Sequence, residues 1–249
     1  MMMLIIALAC DDSRSVETQE DAFAVGDSPR LVVSGFNGGI TVNSGEDGVI
    51  LVKATLQRPD RIRYEVSQQG ETVTVHAEAT GSRFGFNKSS NVDFEISVPV
   101  KTELELNTSN GRIEVFGIQS NGRLRTSNGR IVIENAGGDF DAHTSNGSIV
   151  VTSFRGAVDL GTSNGGITFD GELLQDSRNE MTTSNGSVQV TLRGTPNMDI
   201  DASTSHGTVT IRLPLAKTIL LTSTQLIGTI GEGGAVLTIR SSNGSIVIR

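Results

Sequence analysis

Cysteine, aromatic residues, proline and positive charge are all scarce in this 249-residue sequence. The one cysteine, Cys10, leaves no thiol for a Cys–His nucleophile in the rest of the chain. Lysine and arginine number 20 against 28 aspartates and glutamates, and the net charge of −8 argues against a nucleic-acid partner, which requires a basic surface. The three histidines, His76, His143 and His206, fall short of the roughly four convergent ligands of a structural zinc site.

The aromatic content of 4% and the 5 prolines contrast with 29 glycines. This mixture suits many short strands joined by tight turns, with small aliphatic side chains in a narrow core. No segment of the sequence shows a helical period of apolar residues. We therefore expect an all-β fold.

Residues 1–10 form an apolar segment that ends in Ala7-Leu8-Ala9-Cys10. Small residues before a cysteine, after an apolar run, resemble the lipobox of bacterial lipoproteins, in which the cysteine is lipidated. We therefore predict a signal segment at 1–10, lipidation of Cys10 and attachment to the membrane through that lipid. About nine apolar residues cannot cross roughly 30 Å of hydrocarbon, which excludes a transmembrane span. No Lys or Arg precedes the apolar run, so an unprocessed cytosolic N-terminus stays open as an alternative.

Residues 11–30 are strongly acidic and show no apolar period. We interpret them as a solvated linker between the anchor and a single β-repeat domain at 31–249. Within that domain, 31–102 is degenerate and is expected to cap one end of a stack, whereas 103–249 carries the regular repeats.

The tetrapeptide Thr-Ser-Asn-Gly recurs through the second half of the chain, with small variations. The asparagine position of the series is occupied by Asn110, Asn128, Asn146, Asn164, Asn185, His206 and Asn243. The steps are 18 residues and then 21, and the last gap of 37 predicts one unrecognised coil near 221–230. A fixed period of this length is typical of stacked repeat proteins.

Apolar residues flank each asparagine at alternate positions, as Leu124, Ile131 and Ile133 do around Asn128. Such alternation indicates two half-buried strands per repeat. Two architectures fit: a parallel β-solenoid of 18–21-residue Thr-Ser-Asn-Gly coils, and an antiparallel β meander with Asn-Gly hairpins. We favour the solenoid, because stacking puts like residues about 4.8 Å apart and lets the asparagines form a hydrogen-bonded ladder.

Three features of the chain are considered together: Asn37–Val42, Phe94–Pro99 leading to Leu104–Leu106, and the Thr-Ser-Asn-Gly series. They resemble the bacterial β-strand-repeat family DUF4097, whose members are often labelled adhesins. The match covers about residues 31–249. The resemblance implies an extracytoplasmic β-solenoid at the cell envelope, and it brings no catalytic residues with it.

The sequence offers no catalytic constellation and no cofactor motif. The serines of the repeats have no adjacent base, and no phosphate-binding glycine loop opens a helix. We therefore expect a non-enzymatic structural or adhesin-like binding module, lipid-anchored or secreted, with an envelope polymer or protein as partner. The alternative is a polysaccharide-active β-helix enzyme, which would need acids and bases converging in one cleft.

The outward position five residues before asparagine carries a run of carboxylates. In four successive repeats it is occupied by Asp141, Asp159, Glu180 and Asp201. Stacked about 4.8 Å apart, these side chains would repel one another and invite a hard cation such as calcium. We predict a weak surface stripe for a divalent cation or a cationic partner, with a solvated acidic face as the alternative.

Overall fold

The computed structural model describes residues 4–6, 15–80 and 90–249. Cys10 and the predicted lipobox at 7–10 lie outside the described residues. Within them, the structure contains 23 strands and one short 3-10 helix, Pro59–Arg61, and no helix is long and apolar enough to cross a membrane. The all-β prediction is confirmed.

The strands before each Asn-Gly, together with the strands that extend them at both ends, form one row, here called row A. In spatial order, row A consists of β6 (Ile62–Gln69), β7 (Thr72–Ala79), β3 (Arg30–Ser34), β9 (Glu103–Thr108), β11 (Gly122–Asn128), β13 (Gly137–Asn146), the second part of β14 (Ile149–Asn164), β16 (Arg178–Asn185), β22 (Ala235–Asn243), β18 (Met198–His206), β21 (Gln225–Ile230) and β20 (Lys217–Leu221).

The strands after each Asn-Gly, together with the strands that extend them at one end, form a second row, row B. In spatial order, it consists of β1 (Leu4–Ile6), β2 (Val16–Ala24), β5 (Val49–Gln57), β8 (Asn91–Val98), β4 (Ile40–Ser44), β10 (Ile113–Phe116), β12 (Ile131–Glu134), the first part of β14, β15 (Ile167–Leu173), β17 (Val188–Leu192), β23 (Ile246–Ile248) and β19 (Val209–Ile211). The inward apolar side chains of both rows form one buried cluster.

Equivalent strands of the repeats pair in parallel and in register. Ile131 lies between Ile113 and Ile149, and Ile149 lies next to Ile167. This is the like-on-like stacking of a β-solenoid-like fold, and it excludes the antiparallel meander for these repeats. Antiparallel pairs occur at the two ends, where β6 joins β7, β2 joins β5, and β20 joins β21.

The threonine, asparagine and glycine of the Thr-Ser-Asn-Gly motif have distinct structural roles. The threonine is buried, and its hydroxyl donates to the glycine carbonyl of the neighbouring repeat, as in Thr144 Oγ1 to Gly129 O at 2.9 Å. The asparagine amides form the predicted ladder, with Asn146 Nδ2 donating to Asn128 Oδ1 at 2.8 Å. The ladder runs without interruption through Asn37, Asn110, Asn128, Asn146, Asn164, Asn185 and Asn243.

The order of the last three repeats differs from the sequential order that we expected. β22 lies between β16 and β18, so Asn243 is placed between Asn185 and His206. Residues 221–230 do not form a further coil, because β20 and β21 make an antiparallel hairpin that pairs with the outer side of β18. The C-terminal strand β23 is enclosed by β17 and β19.

The linker interpretation of 11–30 is wrong for its central part. Val16–Ala24 forms β2, which pairs with β5 over nine residues. The sequence shows no apolar period there because β2 lies near the end of row B, covered only by the short strand β1, with most side chains half-buried or exposed. Its acidic residues suit this edge position, where Glu20 lies opposite Lys53.

Candidate functional site

The outward face of row A carries most of the charged residues that the repeats place side by side. A shallow groove of about 600 Å³ crosses this face from β3 to β16. Its charged lining includes Arg30, Glu105, Arg123, Asp141, Asp159 and Arg178. Because outward side chains of parallel strands stand in register, the groove follows the stacking direction of the repeats.

Arginines hold Asp141 at the centre of the groove. The Arg125 guanidinium makes a short hydrogen-bonded ion pair with Asp141 Oδ2 and also donates to the Asp141 carbonyl oxygen at 3.0 Å. Arg123 Nε lies 3.6 Å from the same carboxylate oxygen. Partial burial by itself raises the pKa of Asp141, but the hydrogen bond and charge of Arg125, with smaller contributions from His143 and Arg123, bring this pKa below its ordinary value. Asp141 is therefore held as a carboxylate.

His143 lies between two carboxylates. Its Nε2 is 2.9 Å from Asp141 Oδ1 and 3.3 Å from Asp159 Oδ1. The distance to Asp141 suits a hydrogen bond, yet this oxygen is buried and accepts none of good geometry. The imidazole has room because the next repeat has Gly161 at the equivalent position, where an added Cβ would lie 2.4 Å from His143 Nδ1.

These three residues are the group in the described part of the chain whose ligand atoms converge enough for a metal ion. The nearest oxygen and nitrogen atoms of Asp141, His143 and Asp159 lie within 4.8 Å of one another. Two carboxylate oxygens and one imidazole nitrogen form a mixed donor set, which suits a transition metal better than calcium.

The predicted carboxylate stripe is shorter than the sequence order indicated. Asp141, Asp159 and Glu180 are adjacent in register, but Thr238 of the inserted strand β22 separates Glu180 from Asp201. Asp201 also pairs with Arg240, in a hydrogen-bonded contact between Arg240 Nη1 and Asp201 Oδ1 of 2.9 Å. The stripe of four is therefore a run of three, and one of those three is already held by arginines.

The remaining sequence candidates lie elsewhere. His206 pairs in register with Asn243 at the end of the asparagine ladder, and His76 lies on β7 at 3.8 Å from Glu78. The sequence reasoning missed Arg125 and His143 as site residues. The position three residues before asparagine could have indicated them, because the 18-residue step places Arg125, His143 and Gly161 in one column.

A family model described as Toastrack DUF4097 matches residues 119–249. The chain belongs to this family. The resemblance noted from the sequence is thus confirmed, and it concerns the half of the chain that carries the regular repeats and most of the candidate site. No curated protein matches the chain significantly.

Several solved structures are similar to the chain in fold. A candidate adhesin from Bacteroides fragilis is 12% identical, with a TM-score of 0.47 and coverage of 94% of this chain and 97% of the other. A candidate adhesin from Parabacteroides distasonis is 12% identical, with a TM-score of 0.44 and the same two coverages. A candidate lipid-binding protein from the same species is 11% identical, with a TM-score of 0.34 and coverages of 93% and 97%. At these identities and scores, none of the three bears on the function of this chain.

Proposed function

We propose that this protein is a non-enzymatic binding module of the bacterial cell envelope, attached to a membrane by lipid at Cys10. We further propose that it binds an extended polar polymer of the envelope through the groove of row A. The observation that carries the proposal is the groove itself, in which arginines and carboxylates from neighbouring repeats lie side by side.

The shape of the groove favours a polymer over a small molecule. From β3 to β16 it spans five strand spacings, or about 24 Å. It is open along its length, whereas sites for small ligands enclose most of the ligand surface. Its lining contains both signs of charge, as in Arg30 with Glu105 at 2.7 Å, so it offers donors and acceptors for hydroxyl, amine and carboxylate groups.

The enzymatic alternative would use Asp141 and Asp159 as an acid–base pair on a polysaccharide. A general acid needs a raised pKa so that it keeps its proton near neutral pH. The pKa of Asp141 is shifted in the opposite direction by Arg125. This observation supports binding without turnover.

Binding can be tested with a panel of purified bacterial envelope polysaccharides that are neutral, acidic or zwitterionic, immobilised for surface-based measurement. We expect at least one class to bind and Arg123→Ala and Asp159→Ala to weaken that binding. The control is Asp170→Ala with Arg193→Ala, which removes a surface ion pair (Nε to Oδ1 of 2.6 Å) at row B. Equal binding by the groove and control variants would contradict the proposed site, and release of new reducing ends would favour the enzyme.

The lipid anchor has its own test. The gene would be expressed with its native start in a bacterial host that is fed labelled palmitate. We expect the wild-type chain to carry the label and Cys10→Ser to lose it, because Cys10 is the only cysteine. Label that persists in the serine variant would contradict lipidation at this residue.

We propose a second, narrower role for Asp141, His143 and Asp159, which is to hold a divalent cation, based on the convergence of their ligand atoms. Glu180, the next carboxylate of the stripe, would extend the negative surface, whereas Asp201 lies apart. The test is thermal unfolding after chelation, with added zinc, manganese or calcium, on wild type, Asp159→Asn and the control Asp170→Asn. A melting temperature that rises equally in all three proteins, or in none, would show that the carboxylates are only solvated charge.

A further inference from the structure

The last coil of the chain is held as an insert between two repeats that precede it in sequence. β22 lies between β16 and β18, and β23 lies between β17 and β19. The inward side chains of the insert are fully buried: Leu237, Ile239, Ile246 and Ile248. The segment 235–248 thus fills a slot inside the stack, near one of its ends.

The insert is held on both sides by the same hydrogen bonds of the Thr-Ser-Asn-Gly motif that join the other repeats. On one side, Asn243 Nδ2 donates to Asn185 Oδ1 at 2.9 Å, and Ser241 Oγ donates to the Gly186 carbonyl at 3.0 Å. On the other side, Thr204 Oγ1 donates to the Gly244 carbonyl at 2.8 Å. Other neighbouring repeats are joined by the same types of contact. The same segment of another copy would make these contacts equally well.

The two walls of the slot also match each other. The step from Asn185 to His206 is 21 residues, the same as the step from Asn164 to Asn185. If the walls met directly, the repeat register would place Val209 next to Val188, Ile211 next to Val190 and Thr204 next to Thr183. The repeat sequence is therefore compatible with two arrangements of these coils. In one, the insert separates β16 and β17 from β18 and β19; in the other, β16 pairs directly with β18 and β17 with β19.

A short glycine-rich hinge leads into the insert. β21 and β22 lie on opposite sides of β18, so residues 231–234, Gly-Glu-Gly-Gly, connect them around its end. Gly231, Gly233 and Gly234 have φ values of 59°, 81° and 123°. Short constrained hinges favour exchange of the following segment between copies, because the hinge relaxes when it extends.

We propose that residues 235–248 form an exchangeable coil, which a second copy of this chain accepts in the same slot. Two copies that exchange this coil become a swapped dimer, in which each slot keeps the contacts seen in the monomer and only the hinge changes. The exchange forms and breaks no covalent bond.

The exchange can be measured with full-length chains that carry Cys10→Ser and one new cysteine each. Glu180 and Thr238 are register partners on β16 and β22 with outward side chains. Parallel partners about 4.8 Å apart lie within the Cα distance range for a disulfide. One chain would carry Glu180→Cys and the other Thr238→Cys. After mixing, concentration and gentle warming, we expect an oxidised heterodimer linked at 180–238, identified by mass spectrometry.

The matched control uses Thr168→Cys and Gln189→Cys on separate chains, since these partners on β15 and β17 lie outside the insert. We expect their yield of mixed disulfide to be several-fold lower. A yield for 180–238 that does not exceed this control would overturn the proposal. The double variant Glu180→Cys with Thr238→Cys should close an intrachain disulfide in the monomer, and its failure to do so would overturn the inserted placement as well as the exchange.

Discussion

Single residues of the Thr-Ser-Asn-Gly motif decide whether the repeats can stack. The glycine is required for a steric reason: a Cβ added to Gly165 would lie 2.0 Å from the carbonyl oxygen of Gly147. Other repeats show the same close approach, for example Gly147 to the Gly129 carbonyl. At these two positions the distance between coils requires the glycine, since neither Gly147 nor Gly165 has a positive φ.

Two adjacent glycines give a sharp test of this reason. Gly165→Ala should lower the free energy of unfolding by about 1–3 kcal/mol or more, because the added methyl forces the coils apart. Gly166→Ala should cost less, about 0.5 kcal/mol, because its Cβ would meet a single atom, the Ser187 carbonyl oxygen, at a tight 3.2 Å that a small shift relieves. Other repeats have arginine or serine at this position. Denaturant unfolding of both variants measures the difference, and similar losses would contradict the steric explanation.

Asp141 gives the groove a dependence on pH. Its pKa is lowered below the ordinary value of 3.8, partial burial being outweighed by the charge and hydrogen bond of Arg125. A lowered carboxylate pKa contributes stability above the unfolded value, and this contribution is lost as the pH falls through the folded value.

We therefore expect Asp141→Asn to destabilise the protein at about pH 6 and to differ less from wild type at about pH 3. Urea unfolding at the two pH values measures this, with Asp176→Asn as the control for a general carboxylate effect. A deficit of the Asp141 variant that is as large in acid as near neutrality would contradict the assigned pairing.

At the scale of elements, strand β2 shows what local sequence could not predict. The segment has no apolar alternation of its own. Its nine-residue partner is the edge of β5, and the short strand β1 adds only three residue pairs. Its one large apolar contact with the core is Phe23, which is partly buried. The context that makes it a strand is therefore distant in sequence.

The strand assignment predicts slow amide exchange in Val16–Ala24. Peptides from this range should be protected from deuterium for far longer than a solvated linker, because β2 pairs with β5 across nine residues. Hydrogen–deuterium exchange by mass spectrometry measures this, and β3 provides an internal reference for a strand inside the stack. Complete exchange of 16–24 at the earliest time point would support the linker interpretation.

At the scale of the whole molecule, the period of the sequence predicts the stacking but not the order of the last coils. Like residues at a fixed step indicate parallel pairing, inward threonines and an asparagine ladder, and all three are present. The same likeness makes the repeats interchangeable, so the sequence cannot distinguish Asn243 beside Asn185 from His206 beside Asn185. The Asp141–His143 contact depends on the space above Gly161, which the period alone does not reveal.

The stack has one continuous core, so a defect in its middle should unfold all of it. Ile131 is fully buried between Ile113 and Ile149, whereas the preceding residue, Arg130, is exposed. Ile131→Asp buries a carboxylate among aliphatic side chains and should cost several kcal/mol, on the order of the whole stability of a domain. Arg130→Asp should retain nearly the wild-type melting temperature.

Circular dichroism during heating would compare the two variants, and hydrogen exchange would show how far the damage extends. We expect Ile131→Asp to lose protection in β9 and β17 as well as in β12, since buried side chains from all three belong to one cluster. Loss confined to β12 and its two neighbours would mean that the coils unfold independently, as in long repeat arrays with weak coupling. Equal damage from Arg130→Asp would instead show that the assignment of Ile131 as buried and Arg130 as exposed is wrong.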